Sequence, residues 1–228
     1  VTGTHVINPW LRKLPYDAIK DFASVATLIR TEHMLVVNPS FPAKTLKEFL
    51  AYAKSNGDKI NAAATGGQNQ VDTLLFMQGI GVKFTVVPYK SAPAQINDLI
   101  AGTVQMTLKP LLFSNQVRAG KIRALVVWRD GGRSPLLPDV PTAPEAGLNF
   151  TVANGYVVHA PAATPRDIIQ KLNNEFRRAL AVPAVVAAIE KAGYSVFSST
   201  VAEAEAWTRN QYERYGRIIK ENNIKLEE

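Results

Sequence analysis

Apolar residues follow two periodicities along this chain, and the change from one to the other predicts strands that lead into helices. In Lys59–Gln78, the short apolar run Ile60–Ala64 is typical of a buried strand, and after Thr65-Gly66-Gly67 the apolar residues adopt helical spacing. A strand that ends in a Gly-rich turn and opens a helix presents free N–H groups and partial positive charge, which suits an anion. An ordinary βα loop, with glycines present for steric reasons, explains the spacing equally well.

The longer alternation of strand and helix patterns predicts the fold class. Phe22–Ile29 and Met34–Val37 are predicted as two strands, and Thr45–Asn56 as a helix with a capping box that pairs its first residue with Glu48. Residues 59–128 then follow the order β-α-β-α-β-α-β. This order predicts an α/β fold with mostly parallel sheets and flanking helices.

The rest of the chain contains an irregular segment and then mainly helices. Residues 129–149 contain four prolines and three glycines, and irregular segments of this length are functional or mark a crossing between lobes. Phe150–Ala160 is predicted as a strand, and three helices follow it. The first of these helices is predicted to bury an apolar stripe formed by Ile168, Ile169, Leu172, Phe176 and Leu180.

Composition excludes several classes of function. The chain has no cysteine, which excludes disulfides, thiolate zinc sites and a cysteine nucleophile. No apolar run approaches the roughly 18–20 residues of a membrane span, so direct membrane insertion is not expected. The net charge is +7, but the lysines and arginines are scattered singly among acids, so nucleic acid is not an expected partner.

The sequence contains no recognisable catalytic constellation. The three histidines, His5, His33 and His159, are far apart and have no metal-ligand spacing, and there is no GxSxG motif and no nucleotide-binding glycine motif. His159, in an apolar strand, is interpreted as a packed core or hinge histidine. We therefore predict no enzyme activity, no cofactor and no metal.

Hydrogen-bonding residues follow three successive predicted strands at the point where each strand ends. These residues are Thr65, Tyr89 and Lys109, and in open α/β sheets such strand ends meet the ligand. Lys109 precedes Pro110 and could face an anionic group, although a surface lysine with its charged end in water fits the spacing as well. The interruption Asn154-Gly155-Tyr156 in a later strand adds a candidate, because glycine inside a strand often permits the close approach of a ligand or backbone.

Several long motifs, in order along nearly the whole chain, closely resemble the solute-binding proteins of tripartite tricarboxylate transporters, the Bug/TctC family. These motifs are NPWLRKLPYDAIKDF, LVVNPSFPAKTLKEFLAYAKSN, VVPYKSAPAQINDLIAGTVQM, VRAGKIRALVV, RSPLLPDVPTAPEAGL and HAPAATPRDIIQKLN. The resemblance implies a periplasmic, two-lobed periplasmic binding protein type II fold. Such a protein closes on a small organic anion, usually a carboxylate, and delivers it to the permease subunits in the membrane.

The resemblance also implies how the chain is divided. In this fold the chain crosses between lobes twice, which assigns residues 1–31 and 154–228 to lobe I and residues 32–153 to lobe II. The crossover strands are expected near 32–37 and 150–160. Family members begin with a signal peptide, a strand and a PxxxGGxxD turn before the segment that corresponds to GTHVINP here. Lobe I is therefore expected to be incomplete at its N-terminus, so that the chain self-associates through the gap or is accompanied by the missing residues as a separate fragment.

Three departures from the family pattern affect the expected ligand. The family's SGNGTS-type turn is AATGGQ here, the acidic residue that usually follows the VQVMF-like strand is Lys109, and the usual aromatic of the returning crossover strand is Gly155. These changes indicate a different or bulkier anion. The backbone N–H groups of residues 66–68 are expected to be its donors, and the predicted ligand-binding residues are Thr65, Gly66, Gly67, Gln68, Tyr89, Lys109, Asn154, Tyr156 and His5.

Three alternatives to a transport receptor remain open at the level of sequence. One is an effector-sensing domain of the same fold, although the chain has no helix-turn-helix pattern. Another is an α/β enzyme that acts on small carboxylates. The last is a fragment that binds nothing, because the missing segment supplied half of the cleft.

Overall fold

The computed structural model describes residues 3–129 and 131–224, and its contacts divide the chain into two compact units. Unit 1 comprises Val1–Thr31 and Asn154–Glu228, and unit 2 comprises Glu32–Ala153. Helix α1 (Asn8–Leu11) begins the regular structure of unit 1 after a π-helical turn. Strand β1 (Phe22–Val37) then continues from unit 1 into unit 2 over 16 residues.

Strand β1 is continuous where the sequence predicts two strands. The prediction of a break between Ile29 and Met34 is wrong, because the polar residues in that interval are buried and paired rather than exposed in a loop. Glu32 forms an ion pair with Arg129 at 3.1 Å, and His33 Nε2 lies 4.0 Å from a carboxylate oxygen of Asp72.

Unit 2 is built around a sheet with the strand order β3-β2-β4-β1-β5. Strand β2 is parallel to both β3 and β4, which confirms the parallel arrangement predicted for this region, and β1 is antiparallel to β4 and β5. The elements of unit 2 after β1 are α2 (Leu46–Asn56), β2 (Asn61–Thr65), α3 (Gly66–Ile80), β3 (Thr85–Tyr89), α4 (Ala92–Ala101), β4 (Met106–Pro110), α5 (Ser114–Arg118) and β5 (Arg123–Trp128).

The hydrophobic core of unit 2 lies on both faces of this sheet. Successive β1 side chains point to opposite faces, as the pleat of a strand requires. Leu35 therefore belongs to an aromatic-rich cluster with Phe49, Phe76 and Trp128. Met34 belongs to a second cluster that includes residues from α4, among them Ile96 and Leu99, together with Val127 from β5. Because both faces are covered, the residues Met34–Val37 of β1 are buried whichever face they point to.

Helix caps in unit 2 follow the sequence pattern in part. The Thr45 hydroxyl accepts a hydrogen bond of 3.2 Å from the Glu48 N–H at the start of α2. The Glu48 carboxylate accepts from the Lys44 N–H at 2.7 Å, and backbone hydrogen bonds from Lys44 and then Thr45 lower its pKa. At the start of α4, the Ser91 hydroxyl accepts from the Ala94 N–H at 3.4 Å.

Unit 1 combines strands with C-terminal helices. Its strands are the first part of β1, β6 (Ala153–Pro161) and β7 (Tyr194–Val196), and both β6 and β7 pair with β1. Its helices after α1 are α6 (Arg166–Leu180), α7 (Pro183–Lys191) and α8 (Val201–Glu221). Helix α8 begins with a complete capping box, in which the Thr200 and Glu203 side chains each accept from the other residue's backbone N–H.

The buried face of α6 differs from the predicted stripe. Ile169 and Leu180 are buried, but Ile168 and Leu172 are 45% and 39% exposed, so the prediction for these two residues is wrong. Asn173 is fully buried instead, because its Nδ2 donates to the Val25 and Ser199 carbonyls at 2.8 and 2.9 Å. Within the part of the chain that the structure describes, no helix is both long and apolar enough to cross a membrane.

Candidate functional site

The six residues predicted to bind ligand in unit 2 lie at one edge of its sheet. Strands β2 and β3 run parallel with Thr65 opposite Tyr89, and β4 lies parallel on the other side of β2 with Met106 opposite Ala62. The ends of the three strands therefore meet at the same edge, which we call the β2–β3–β4 edge. The predicted residues that it brings together are Thr65, Gly66, Gly67, Gln68, Tyr89 and Lys109.

The turn between β2 and α3 is fixed by Asn69 rather than by a side-chain cap. Thr65 makes no capping hydrogen bond with its side chain. The Asn69 Oδ1 accepts from the Thr65 N–H at 3.0 Å, and Asn69 Nδ2 donates to the Leu108 carbonyl at 2.9 Å. Gly66 has a φ of +63°, a left-handed conformation that favours glycine. The first N–H groups of α3 have no acceptor within the helix, and such donors bind anions.

Lys109 is buried beneath this edge and does not reach the surface. The residue is only 3% exposed, which contradicts the alternative of a surface lysine with its ammonium group in water. Its Nζ donates to the side-chain Oε1 of Gln95 and lies 4.9 Å from the centroid of the Phe113 ring. Burial lowers the pKa of Lys109 to about 8, because removal from water disfavours the charged form of an amine.

Gln95 connects Lys109 to the turn of α3. The two N–H groups of its Nε2 are shared among three acceptors, the Ala63 carbonyl at 2.8 Å, Thr107 Oγ1 at 2.8 Å and Asn69 Oδ1 at 3.0 Å. Backbone groups determine the orientation of both amides, since a carbonyl only accepts and an N–H only donates. Gln95 Oε1 therefore faces Lys109. Asn69 and Gln95 are absent from the residues predicted from the sequence.

The hydroxyl group of Tyr89 already has a partner within unit 2. It donates a hydrogen bond of 2.6 Å to the Asp98 carboxylate in α4. Burial and the Asp98 carboxylate together raise the pKa of Tyr89 to about 12. The phenol is therefore a neutral donor across the physiological range, and a ligand that contacts it must share it with Asp98.

A buried acidic side chain lies next to the Gly-rich turn. Asp72 is fully buried in α3, and one of its carboxylate oxygens accepts from Gln68 Nε2 at 3.0 Å. The other lies 4.0 Å from His33 Nε2. The side chain of Gln68 is thus held by Asp72, while its Oε1 is buried without a hydrogen-bond partner among the described residues. Of the groups of Gln68, the backbone N–H remains the donor suited to an anion.

In unit 1, the predicted residues Asn154 and Tyr156 make contacts within the unit itself. Asn154 is buried, and its Oδ1 accepts from the Tyr215 hydroxyl at 3.4 Å. The Tyr156 ring packs edge-on against Tyr194, with ring centroids 5.8 Å apart. Gly155 between them is needed because a Cβ atom there would lie 2.6 Å from the Trp207 ring. The Trp207 side chain thus approaches this glycine closely.

His5, the remaining predicted residue, is part of an aromatic cluster in unit 1. Its ring stacks on His159 with centroids 4.2 Å apart and meets the Phe22 ring edge-on at 4.8 Å. Both ring nitrogens of His5 are buried without a hydrogen-bond partner in the described part of the chain. Burial and then the neighbouring His5 lower the pKa of His159 to about 4, and its Nδ1 lies 3.3 Å from Ser24 Oγ. His159 is therefore a packed, neutral histidine.

Metal ions require ligand sets in which histidine and carboxylate side chains cluster together. Across residues 3–129 and 131–224, no group of three or more histidine, aspartate or glutamate side chains is arranged to hold a metal ion. The polar groups at the β2–β3–β4 edge are helix N–H groups, neutral amides, the Tyr89 hydroxyl and one buried amine, while the carboxylates of Asp72 and Asp98 are already engaged by other side chains. This combination is suited to binding an anion rather than a cation.

Comparison with known proteins agrees with the resemblance that the motifs indicate. A family model described as tripartite tricarboxylate transporter family receptor matches residues 1–224. A curated relative from Cupriavidus necator, a UPF0065 protein in the gbd 5' region, is 31% identical over 179 residues, which are 77% of this chain and 54% of the relative. The chain thus spans about half the length of that relative.

Solved structures share the fold over nearly the whole chain. One described as a periplasmic transporter is 31% identical with a TM-score of 0.78, and the match covers 99% of this chain and 77% of that one. An R. palustris protein with adipate is 27% identical with a TM-score of 0.77, covering 96% and 75%. MatC from Rhodopseudomonas palustris with bound malate is 31% identical with a TM-score of 0.72, covering 95% and 76%.

Proposed function

The chain belongs to the tripartite tricarboxylate transporter receptor family, and from this premise we propose that it is a periplasmic solute-binding protein that captures a small organic anion. The anion is a carboxylate, and the protein delivers it to the permease subunits of a transporter. Binding without catalysis suffices for this role. Two similar structures support the ligand class, since one is described with adipate and the other with bound malate.

The observation that carries the proposal is the combination of donors at the β2–β3–β4 edge. Helix α3 begins directly at the end of β2 with Gly66 and Gly67, and the N–H groups of its first turn have no acceptor within the helix. The N–H groups of Gly66, Gly67 and Gln68 bind one carboxylate in this proposal. Each such charge-assisted hydrogen bond contributes about 1.5–3 kcal/mol.

Lys109 supplies the positive charge for the ligand in this proposal. Its Nζ is linked to the turn through the side chains of Gln95 and Asn69. A dicarboxylate has a second anionic group, and a nearby cation attracts this group more strongly in a poorly solvated site than in water. Lys109 therefore selects for dianions over monoanions of the same length.

Thermal denaturation with candidate ligands tests the proposal. Adipate and malate should raise the unfolding temperature in a concentration-dependent way, because a ligand that binds only the folded state stabilises it. The uncharged 1,6-hexanediol, which has the same chain length as adipate, should have no effect. A cooperatively folding chain whose unfolding temperature is unchanged by a panel of mono-, di- and tricarboxylates would contradict the proposal.

Variants at Gly67 test whether the N–H groups of the turn contribute to the affinity for the ligand. Gly67→Pro removes one N–H group but keeps a residue that helices tolerate in their first turn, whereas Gly67→Ala keeps the N–H group. The proline variant should lose at least about tenfold in affinity for adipate or malate, as the loss of one charge-assisted bond predicts. The alanine variant is the matched control for the added bulk. Equal affinities for the two variants would exclude the Gly67 N–H as a donor.

A further inference from the structure

The hydrogen bond between Lys109 and Gln95 does not determine whether Lys109 carries a charge. Gln95 Oε1 faces Lys109 because the Gln95 amide nitrogen is committed to Ala63, Thr107 and Asn69. An uncharged amine and an ammonium group can both donate to this oxygen. The hydrogen-bond network is therefore satisfied in either protonation state.

The charged groups on the surrounding elements have other partners. On α4, Asp98 accepts from the Tyr89 hydroxyl of β3 at 2.6 Å. On β1, Glu32 pairs with Arg129, which follows β5, at 3.1 Å, and His33 lies 4.0 Å from Asp72 of α3. Within the residues that the structure describes, Lys109 forms no ion pair, and its partners are the Gln95 amide and the Phe113 ring. Among the described residues of unit 2, no carboxylate therefore forms an ion pair with the ammonium form of Lys109.

We infer that binding of a carboxylate at the β2–β3–β4 edge is coupled to the uptake of a proton by Lys109. The inference rests on the proposed function, because the ligand is the anion that supplies the missing partner. In the free protein, burial without an ion-pair partner makes the ammonium form of Lys109 less stable than it is in water. A carboxylate that arrives at the turn of α3 favours the ammonium form instead. The only covalent bond that forms is the one between Nζ and the proton taken from solution.

The coupling predicts a defined dependence of affinity on pH. Because burial lowers the pKa of Lys109 to about 8, the free protein holds a mostly uncharged Lys109 above that pH. Ligand binding then takes a proton from solution, and the affinity falls as the pH rises, by up to about tenfold per pH unit. Below pH 7 Lys109 is already protonated, so this group no longer makes the affinity depend on pH. Arginine at this position would be charged throughout.

Calorimetric titration in pairs of buffers with different ionisation enthalpies measures the proton uptake directly. The wild-type protein should take up more than about half a proton per adipate or malate at pH 9 and less than about a tenth at pH 6.5, from a pKa of about 8. Lys109→Arg and Lys109→Met should both abolish the uptake, and Lys109→Met should also bind more weakly at pH 6.5. Lys90→Met is the matched control, since Lys90 is exposed near the same edge and its loss should leave the uptake unchanged.

The outcomes distinguish this inference from the function on which it rests. If the wild type binds with heats that are the same in both buffers at pH 9, or if the uptake persists in Lys109→Met, the inference is overturned and the proposed function stands. If no member of the panel of mono-, di- and tricarboxylates binds at pH 6.5, the proposed function is overturned together with the inference. If the variants do not fold, the inference can be tested in the wild type by carbon-13 NMR of the lysine side chains. One lysine should titrate near pH 8 without ligand and shift upward with saturating malate, and the absence of such a lysine would overturn the inference.

Discussion

Gln95 Nε2 donates a hydrogen bond of 3.0 Å to Asn69 Oδ1, and this contact joins helix α4 to the first turn of α3. Asn69 Oδ1 also receives the Thr65 N–H, and Gln95 Oε1 receives Lys109. Two neutral amides thus hold both the Gly-rich turn and the buried amine. The predictions below examine this arrangement and the packing of unit 1.

Replacement of Gln95 by leucine should destabilise the protein strongly. The change removes the two N–H donors that the acceptors on Ala63, Thr107 and Asn69 share, and it leaves Lys109 without its acceptor. Buried polar groups without partners cost about 1–3 kcal/mol each, and more when charged, so the free energy of unfolding should fall by about 2–4 kcal/mol. Urea denaturation measures the change. Asn97→Leu, at an exposed position of the same helix, should change it by less than about 0.5 kcal/mol. Similar effects of the two changes would contradict the network.

Alanine at position 155 should be costly because of Trp207. The added Cβ would lie 2.6 Å from the indole ring, and overpacking of this kind costs about 1–3 kcal/mol. The loss in free energy of unfolding should be smaller when the same change is made in a Trp207→Leu background. Gly3→Ala is a control, since a Cβ atom there meets nothing within 4 Å. A cost that is the same with and without Trp207 would show that another contact requires the glycine.

The stability of the wild type should rise with pH above pH 8 because of Lys109. Its pKa is about 8 in the folded protein, against an ordinary value of 10.5. Between these values the unfolded chain binds more protons than the folded protein, so the free energy of unfolding increases with pH. Urea denaturation from pH 7 to pH 10 should show this rise as a difference between wild type and Lys109→Met, and Lys90→Met should parallel the wild type. Parallel curves for wild type and Lys109→Met would contradict the burial of an unpaired amine.

Acid should destabilise unit 1 through His159. Its pKa is about 4 in the folded protein and 6.5 in its ordinary state, so the unfolded chain binds more protons between these values. The free energy of unfolding therefore falls as the pH is lowered from 6.5 to 4. His159→Phe keeps an aromatic ring and should reduce the slope over this interval. His5 contributes to the low pKa of His159. In His5→Phe the pKa of His159 should therefore be higher in the folded protein, and the fall in stability on acidification should stop at a higher pH. An unchanged slope in His159→Phe would mean that other groups account for the acid sensitivity.

The predictable parts of the fold depend on residues that are close in sequence. The change from strand to helix spacing at Thr65 and the hydroxyl cap at Thr45 appear in the structure where the pattern indicates them. Both are local features, in which a few adjacent residues determine the backbone conformation. The strand ends Thr65 and Tyr89 are also opposite each other, because parallel strands joined by helices align their ends.

The features that the sequence did not predict depend on distant partners. Gln95 looks like an ordinary polar residue of a helix, and its importance follows from contacts with Ala63 and Asn69. The polar residues Glu32 and His33 suggested a break in β1, since their partners Arg129 and Asp72 are 97 and 39 positions away. On α6, Asn173 is buried where the pattern predicted an apolar stripe, because its partner, the Val25 carbonyl, is also distant in sequence. A polar residue can be buried when a tertiary contact supplies its hydrogen-bond partner. The periodicity of apolar residues contains no information about such contacts, so it predicts these residues to be exposed.

A crystal structure of the protein with adipate or malate tests the central claim most directly. The account predicts that carboxylate oxygens lie within hydrogen-bonding distance of the backbone N–H groups of Gly66, Gly67 or Gln68, with an anionic group near Lys109. Such bonds are about 2.7–3.2 Å long. A bound ligand with no polar atom near residues 65–68 would contradict it.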